Sequence, residues 1–182
     1  MLIENELGAT GTGFLITRNI DDERFKVFLA TNKHVLHKDL EGRLNANVIY
    51  IHCNVSNPDG STSRQRIGLT LETKDGEKLY REHPEHDVDV LAIDVSQIIK
   101  LGNIVHKRIG YSLICNSDIL EQEDITQGED IMTIGYPEDF RHRTNNYPLF
   151  RSGIIATRIG EELEDTIRER ARARAKANQH AQ

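Results

Sequence analysis

Apolar residues occur in short runs between Gly11 and Val95, and several of these runs alternate apolar with polar positions. Alternation with a period of two is typical of half-buried β-strands. Gly, Asn, Asp and Pro separate the runs, and short strands at such spacing are typical of a small all-β sandwich or barrel. The predicted strands cover residues 13–17, 25–30, 47–52, 66–71 and 88–93. We therefore expect a six-stranded barrel in this half of the chain.

Two polar breaks between these runs have the composition of turns. Residues 19–22, Asn-Ile-Asp-Asp, separate the first two runs, and residues 56–61 contain Pro58 and Gly60. These residue types favour reversals, because Asn and Asp hydrogen-bond to the nearby backbone, Pro fixes φ and Gly permits positive φ. Each break therefore predicts a chain reversal, and the first predicts a hairpin.

The second half of the chain has fewer runs of this kind. Residues 96–124 form a looser segment, after which the runs at 130–135 and 149–157 predict two further strands. After Gly160 the composition changes sharply, because residues 161–182 consist mainly of Glu, Arg, Ala and Lys. Such a segment is typical of a charged helix or a disordered tail.

Composition and charge exclude several classes of function. The net charge is -6 at pH 7, so a general basic surface for nucleic acid is not indicated. The start of the chain lacks a basic region followed by an apolar run, and no stretch approaches the roughly 20 apolar residues of a membrane span. We therefore expect a soluble, cytoplasmic protein without membrane contact. Cys53 and Cys115 are far apart, which predicts two buried free thiols rather than a disulfide framework or a zinc site.

One segment could hold a catalytic base. The strand predicted at residues 25–30 leads into a short polar turn, and His34 stands at the exit of that turn. A histidine titrates near neutral pH, and a neighbouring carboxylate fixes its tautomer and stabilises the imidazolium. The segment 86–93 supplies a carboxylate at the start of another apolar strand. Asp87 and Asp89 are both candidates, because they lie two residues apart and would share one face of the strand.

The same region contains two further histidines, His83 and His86. With Asp87 or Asp89 they could be imagined as metal ligands, but their spacing is not a standard zinc pattern. We interpret them as polar loop residues and predict no metal site.

Three segments occur in an order that resembles a known family. They are the glycine-flanked strand at 10–16, the Thr-Asn-Lys-His-Val turn at 31–35 and the acidic strand at 87–91. Together they resemble the trypsin-like (chymotrypsin-fold) serine peptidases, especially the bacterial high-temperature-requirement type. In that type a glycine-flanked strand, a Thr-Asn-x-His-Val turn and an Asp-φ-x-φ-Leu strand (φ apolar) recur. A lone histidine is more often a surface or core residue, but the ordered combination favours the catalytic interpretation.

The resemblance implies a role for each residue of the pair. His34 is the general base, and Asp87 is preferred over Asp89 as its orienting acid, since the family pattern places the acid directly before the apolar-x-apolar-Leu run. The implied activity is that of a serine endopeptidase, which hydrolyses a peptide or protein substrate with a Ser-His-Asp triad and needs no cofactor. Residues 128–137 and 151–155 resemble the opening strands of the family's second barrel.

The family also sets the expected organisation. We predict an all-β, trypsin-like double β-barrel whose first barrel is complete and whose second is partial. The first barrel covers residues 1–100 and carries the histidine and the aspartate. The partial second barrel covers 101–160, and the charged helix or disordered tail covers 161–182.

The family's nucleophile is the part that this sequence lacks. The family carries it in a Gly-x-Ser-Gly-Gly loop, and no serine of this chain lies in such a pattern. The serines are Ser56, Ser61, Ser63, Ser96, Ser112, Ser117 and Ser152. Ser152 comes nearest, since Gly153 follows it, but it occupies a strand position in the resemblance. We therefore predict no meaningful peptidase activity for the chain as it stands.

Two other interpretations stay open. The chain could be a non-catalytic remnant that binds a protein partner through an exposed groove or its charged tail. It could also be one part of a split peptidase that another chain completes. The apolar runs at 131–134 and 154–155 favour this last interpretation, because a partial barrel would leave exposed edges that are prone to pairing.

Overall fold

The computed structural model describes residues 1–37, 44, 46–100, 103–137 and 146–157. These residues fall into two compact units. The first unit contains Met1–Asn116 and Met132–Arg151, and the described part of the second contains Ser117–Ile131 and 152–157. The charged segment predicted at 161–182 lies outside the described residues.

Strands dominate the described chain as a whole, and the helical segments between them are short. In chain order the elements are β1 (Leu2–Asn5), β2 (Thr10–Thr12), β3 (Phe14–Asn19), β4 (Phe25–Thr31), α1 (Lys33–Leu36), β5 (Val48–Ser56), β6 (Thr62–Thr70), β7 (Tyr80–Glu82), β8 (Leu91–Asp94), α2 (Ser96–Lys100), β9 (Ile104–Val105), β10 (Ile109–Gly110), a 3-10 turn (Tyr111–Leu113), α3 (Ser117–Gln122), β11 (Asp130–Gly135) and β12 (Leu149–Ile154). The β-rich character that the sequence predicts is therefore confirmed.

The first unit contains two five-stranded sheets. One has the order β2-β1-β5-β6, with β9 pairing to β5, and all of its pairs are antiparallel. The other has the order β10-β3-β4-β8-β7, which is antiparallel except for the parallel pair of β10 with β3. A separate two-stranded sheet consists of β11 and β12.

A single buried cluster takes side chains from both five-stranded sheets and from α1 and α2. Its members are Ile3, Leu15, Val27, Leu29, Val35, Leu36, Ile49, Ile51, Leu69, Leu71, Tyr80, Leu91, Ile93, Val95 and Ile99. Full burial of one such aliphatic side chain contributes about 1.5–3 kcal/mol. The cluster therefore fixes the relative positions of β4, α1 and β8, the elements that carry the candidate site residues.

The predicted turns form as the sequence indicates. Strands β3 and β4 make a hairpin in which Asn19 lies opposite Phe25. In its turn, the Asp21 carboxylate accepts the backbone N–H groups of Glu23 and Arg24, which is the local bonding expected of an aspartate there. The second reversal joins β5 to β6, and Gly60 adopts a φ of 80° that favours glycine.

Strand pairing among the described residues does not close into a barrel. The first five-stranded sheet keeps three edge strands, β2, β6 and β9, and the second keeps two, β10 and β7. The six-stranded barrel expected from the sequence is therefore not found in closed form, although the strands predicted at 13–17, 25–30, 47–52 and 66–71 coincide closely with β3, β4, β5 and β6.

Two details of the sequence interpretation are corrected. Strand β8 begins only at Leu91, because the chain before it makes a tight turn in which the Val90 N–H donates to the Val88 carbonyl at 2.9 Å. The prediction of two buried thiols is correct for Cys53 and wrong for Cys115, which is exposed. Cys53 lies on β5 among the core residues, and burial raises the pKa of its thiol.

Polar contacts hold the chain after β11 against the first sheet. The Tyr136 N–H donates to Thr12 Oγ1 at 2.9 Å, and the Tyr136 hydroxyl donates to the Asn146 carbonyl at 2.8 Å. Asn146 Nδ2 in turn donates to the carbonyl of His52 at 3.0 Å. Large apolar side chains of β11 and β12 stay exposed in this same unit, namely Met132, Ile134, Leu149 and Phe150.

Candidate active site

His34 is mounted on a short helix whose other face is buried. Asn32 precedes α1 in an extended conformation, Val35 and Leu36 pack into the core, and the side chain of His34 is 72% exposed. The backbone of β2 lies close behind the helix, since a Cβ on Gly11 would stand only 2.5 Å from a methyl group of Val35. This close approach explains why glycine occurs in the segment ahead of β3. The histidine is therefore displayed on a well-packed support.

The imidazole of His34 contacts the carboxylate of Asp89. Its Nδ1 lies 2.5 Å from Asp89 Oδ2, and the backbone N–H of His34 donates to Asp89 Oδ1 at 3.0 Å. Because the carboxylate is an acceptor, a neutral ring facing it carries its proton on Nδ1 and keeps a lone pair on Nε2. Within the unit that contains this pair, no hydrogen bond from a described residue engages Nε2. The free nitrogen is thus available to take a proton.

The acid that faces His34 is Asp89 rather than Asp87, which corrects the preference drawn from the family pattern. The ladder between β4 and β8 ends with Thr31 opposite Leu91, and Asn32 Nδ2 donates to the Asp89 carbonyl at 2.8 Å. Asp89 therefore stands beside the residues that follow Thr31. Asp87 lies two residues before Asp89 in the chain, farther from the start of β8, and is exposed. Continued outward, the antiparallel register would place Val88 opposite His34, midway between the two acids, so register alone does not choose between them.

Burial and hydrogen bonding act in opposite directions on Asp89. Partial burial by itself raises the pKa of this carboxyl, but hydrogen bonds from the His34 ring and from the backbone N–H groups of His34 and Lys33 outweigh it. The pKa of Asp89 consequently lies below its ordinary value. At neutral pH the residue is a carboxylate, the state that can hold and stabilise an imidazolium.

Among the described residues of this unit, no hydroxyl or thiol hydrogen-bonds to the ring of His34. The Ser61 hydroxyl hydrogen-bonds to the side chains of Asn57 and Asp59, and the Ser63 hydroxyl donates to Asn57. Ser96, at the start of α2, hydrogen-bonds through its hydroxyl to the backbone N–H and carbonyl of Val27. Ser152 lies in β12, as the resemblance implies.

A second histidine–carboxylate pair went unpredicted. His52 Nε2 lies 2.6 Å from Glu4 Oε2, and the other Glu4 oxygen accepts from Arg66 at 3.0 Å. Burial tends to raise the pKa of Glu4, but the hydrogen bond from His52 and the charge and hydrogen bond of Arg66 hold it below its ordinary value. The pair brings together β1, β5 and β6. It was missed because β1 has no alternating pattern long enough to predict a strand.

Comparisons with known proteins add no identification, since no family model, no curated protein and no solved structure matches this chain. The described residues contain no group of three His, Cys, Asp or Glu side chains placed to share a metal ion. Among the helices in the described part of the chain, none is both long enough and apolar enough to cross a membrane.

Proposed function

We propose that this chain supplies the general base and the orienting acid of a trypsin-like serine endopeptidase. The observation that carries the proposal is the contact of His34 Nδ1 with the Asp89 carboxylate at 2.5 Å, on a ring that is 72% exposed. Asp89 engages both the ring and the backbone N–H of His34, so the imidazole is held in one orientation. Orientation, tautomer and access are the three properties that a triad histidine needs.

In this function His34 acts through Nε2. The ring takes the proton of a serine hydroxyl while the serine oxygen attacks the peptide carbonyl, and Asp89 stabilises the imidazolium that forms. The same proton then passes from Nε2 to the nitrogen of the departing amine, which leaves an acyl-enzyme that water hydrolyses. The serine and the oxyanion donors have no counterpart beside His34 in the described part of the first unit, so the chain by itself is expected to be inactive.

The sheet arrangement also supports the proposal. Two strand-rich sheets share one core, and the histidine and the aspartate come from segments that flank the paired strands β4 and β8. Gly135-Tyr136-Pro137 begins at the last residue of β11, as the resemblance to the family's second barrel implies. We propose on this basis that the two sheets correspond to the first barrel of the family and that β11 and β12 correspond to the start of the second.

The test begins with the gene. Reading all three frames beyond the codon for Gly160 should reveal a Gly-x-Ser-Gly-Gly segment followed by apolar strands. A polypeptide that includes this segment should react with a fluorophosphonate probe, whereas the present chain should not. Asp89→Asn should lower peptidase turnover by roughly 10⁴-fold, because it inverts the histidine tautomer.

Asp87→Asn is the matched control, since it removes a neighbouring carboxylate of the same kind that does not face His34. Its turnover should stay close to that of the parent. The absence of such a serine segment in every frame would overturn the proposal, as would labelling that survives both His34→Ala and Asp89→Asn.

The exposed apolar side chains of β11 and β12 favour a second candidate, in which another chain completes the site. Met132, Ile134 and Phe150 are all more than half exposed, and an isolated two-stranded sheet is at best marginally stable in water. A partner that adds strands there would bury these side chains and could bring the serine. Light scattering together with an unfolding curve checks whether the chain needs a partner. A monomer with one cooperative unfolding transition would count against that need.

A further inference from the structure

The loop that delivers Asp89 is folded around the ammonium group of Lys33. Lys33 Nζ donates to the backbone carbonyls of Glu85 at 3.0 Å, His83 at 3.2 Å and His86 at 3.5 Å. A lysine ammonium has three N–H donors, and here each can be directed at a main-chain oxygen of one loop. No acidic side chain among the described residues takes part in this contact. The lysine therefore acts on the loop backbone itself.

The residues on either side of Lys33 contact the same segment. Asn32 Nδ2 donates to the Asp89 carbonyl, and the backbone N–H of His34 donates to the Asp89 carboxylate. Three consecutive residues at the start of α1 thus hold this segment. Lys33 contacts the middle of the loop, Asn32 the backbone of Asp89, and His34 the side chain of Asp89. The histidine and the acid are positioned by one short stretch of chain.

Backbone hydrogen bonds hold the ends of this loop, from the His83 N–H to the Val90 carbonyl at 3.0 Å and from the Val90 N–H to the Val88 carbonyl at 2.9 Å. Residues 83–87 are all exposed, so apolar packing does not fix their conformation. Two contacts within the loop are long, from the Glu85 N–H to His83 Nδ1 at 3.2 Å and from the Val88 N–H to the Glu85 carbonyl at 3.3 Å. An exposed loop with little buried apolar surface belongs to the least stable part of a fold. The three bonds from one charged group therefore act on the exposed middle of the loop, between its anchored ends.

We propose that Lys33 is a positioning residue that holds Asp89 in hydrogen-bond contact with His34 by ordering residues 83–88. The catalytic meaning of this role rests on the proposed function, whereas the positioning itself does not. Without the ammonium group, the carbonyls of His83, Glu85 and His86 hydrogen-bond to water instead, and the segment before β8 gains conformational freedom. The Asp89 carboxylate then spends less time against His34 Nδ1 and against the His34 backbone N–H.

The test compares Lys33→Met with Lys26→Met in ¹⁵N-labelled protein. Methionine keeps an unbranched apolar stem and removes the donors. Lys26 is the matched control, because its Nζ contacts an acid on the same pair of strands, Asp94 Oδ2, at 2.9 Å. In the parent we expect a low-field proton on His34 Nδ1 and a neutral ring protonated at Nδ1. Lys33→Met should lose the low-field signal and speed hydrogen exchange of the His34 amide by about tenfold or more, while Lys26→Met changes neither.

Two outcomes overturn the proposal. One is an unchanged low-field proton and an unchanged His34 amide in Lys33→Met. The other is global unfolding of Lys33→Met when Lys26→Met stays folded, because that result assigns Lys33 to stability rather than to local positioning. Lys33→Arg serves as a rescue variant, since a guanidinium also offers several donors and should restore the signal in part.

The readout is separate from peptidase activity. Loss of the Nδ1 signal in Lys33→Met together with no serine segment in the gene would leave the positioning role standing and remove the proposed function. An unaltered Nδ1 signal in Lys33→Met together with an active longer polypeptide would remove the positioning role and leave the proposed function standing.

Discussion

Two of the histidine–carboxylate pairs in the first unit have contacts that are nearly equal in length and surroundings that are opposite. The atoms in contact are 2.5 Å apart in the pair of His34 with Asp89 and 2.6 Å apart in the pair of His52 with Glu4. The side chains of the first pair are 72% and 45% exposed, whereas those of the second are 7% and 26% exposed. A short contact therefore does not by itself mark a catalytic site. Access to the other ring nitrogen distinguishes the two.

The buried pair is part of a structural network. Glu4 also accepts from Arg66, and the Arg66 guanidinium lies 3.3 Å from the centre of the Tyr50 ring. These residues join three neighbouring strands of one sheet, and His52 additionally accepts a hydrogen bond at its carbonyl from Asn146. Removing a member leaves a buried polar group without its partner, which is costly. Asp89 also accepts the backbone N–H of His34, but both side chains of the exposed pair reach solvent, so its loss is expected to affect chemistry and not folding.

The largest expected difference is in stability after removal of each ring. His52→Ala should lower the free energy of unfolding by about 3 kcal/mol, because it leaves a cavity and deprives Glu4 of a hydrogen bond. His34→Ala should change it by less than about 0.5 kcal/mol, as is usual for exposed positions. Urea denaturation followed by circular dichroism measures both values. Equal losses in the two variants would remove the distinction between a structural and a functional pair.

A smaller effect is expected from removing the charge of Glu4. Glu4→Gln should cost about 1–2 kcal/mol at neutral pH, because the interactions with His52 and Arg66 weaken but a polar side chain of the same size remains. The pKa of Glu4 in the folded protein lies below its ordinary value of 4.5. Its contribution is therefore fully present above pH 4.5 and is lost as the pH falls through the lower, folded-state pKa.

The measurement for this variant is the urea midpoint as a function of pH. The difference in stability between the parent and Glu4→Gln should shrink as the solution becomes more acidic than pH 4.5. Glu6→Gln is the control, because Glu6 is an exposed glutamate two residues away, and its stability at neutral pH should match the parent within about 0.5 kcal/mol. A difference that stays constant with pH would show that the charge of Glu4 has no part in the network.

The two pairs also differ in how far the sequence predicted them. The strands next to His34 are long or clearly apolar, and their order in the chain indicated that the histidine and an acid would meet. The choice between Asp87 and Asp89 failed because it depends on where the ladder of β8 ends, and the turn at Val88 and Val90 sets that end.

The second pair could not be predicted, because it depends on long-range register. Strand β1 has four residues, and only its pairing with β5 places Leu2 opposite His52, so that Glu4 comes within reach of the ring. No local pattern encodes that alignment. The β-rich character was evident because alternation is local, whereas the order of strands in each sheet and the open edges depend on contacts between distant segments.

The least perturbing test concerns the tautomers of the two rings. The neutral His34 ring should carry its proton on Nδ1, which faces Asp89, and the neutral His52 ring should carry it on Nε2, which faces Glu4. Long-range ¹H–¹⁵N correlation spectra distinguish the two neutral tautomers. Two rings with the same tautomer would contradict the geometry of one pair.

Asp89→Asn sharpens this test at almost no cost in stability. The backbone N–H of His34 donates to Asp89 Oδ1, so the amide oxygen of an asparagine should keep that position and its NH₂ group should replace Oδ2 in front of the ring. Because an NH₂ group only donates, Nδ1 must become an acceptor and the proton must move to Nε2. Nε2 would then no longer be able to take a proton from a serine, so the role of His34 as a catalytic base depends on the carboxylate of Asp89.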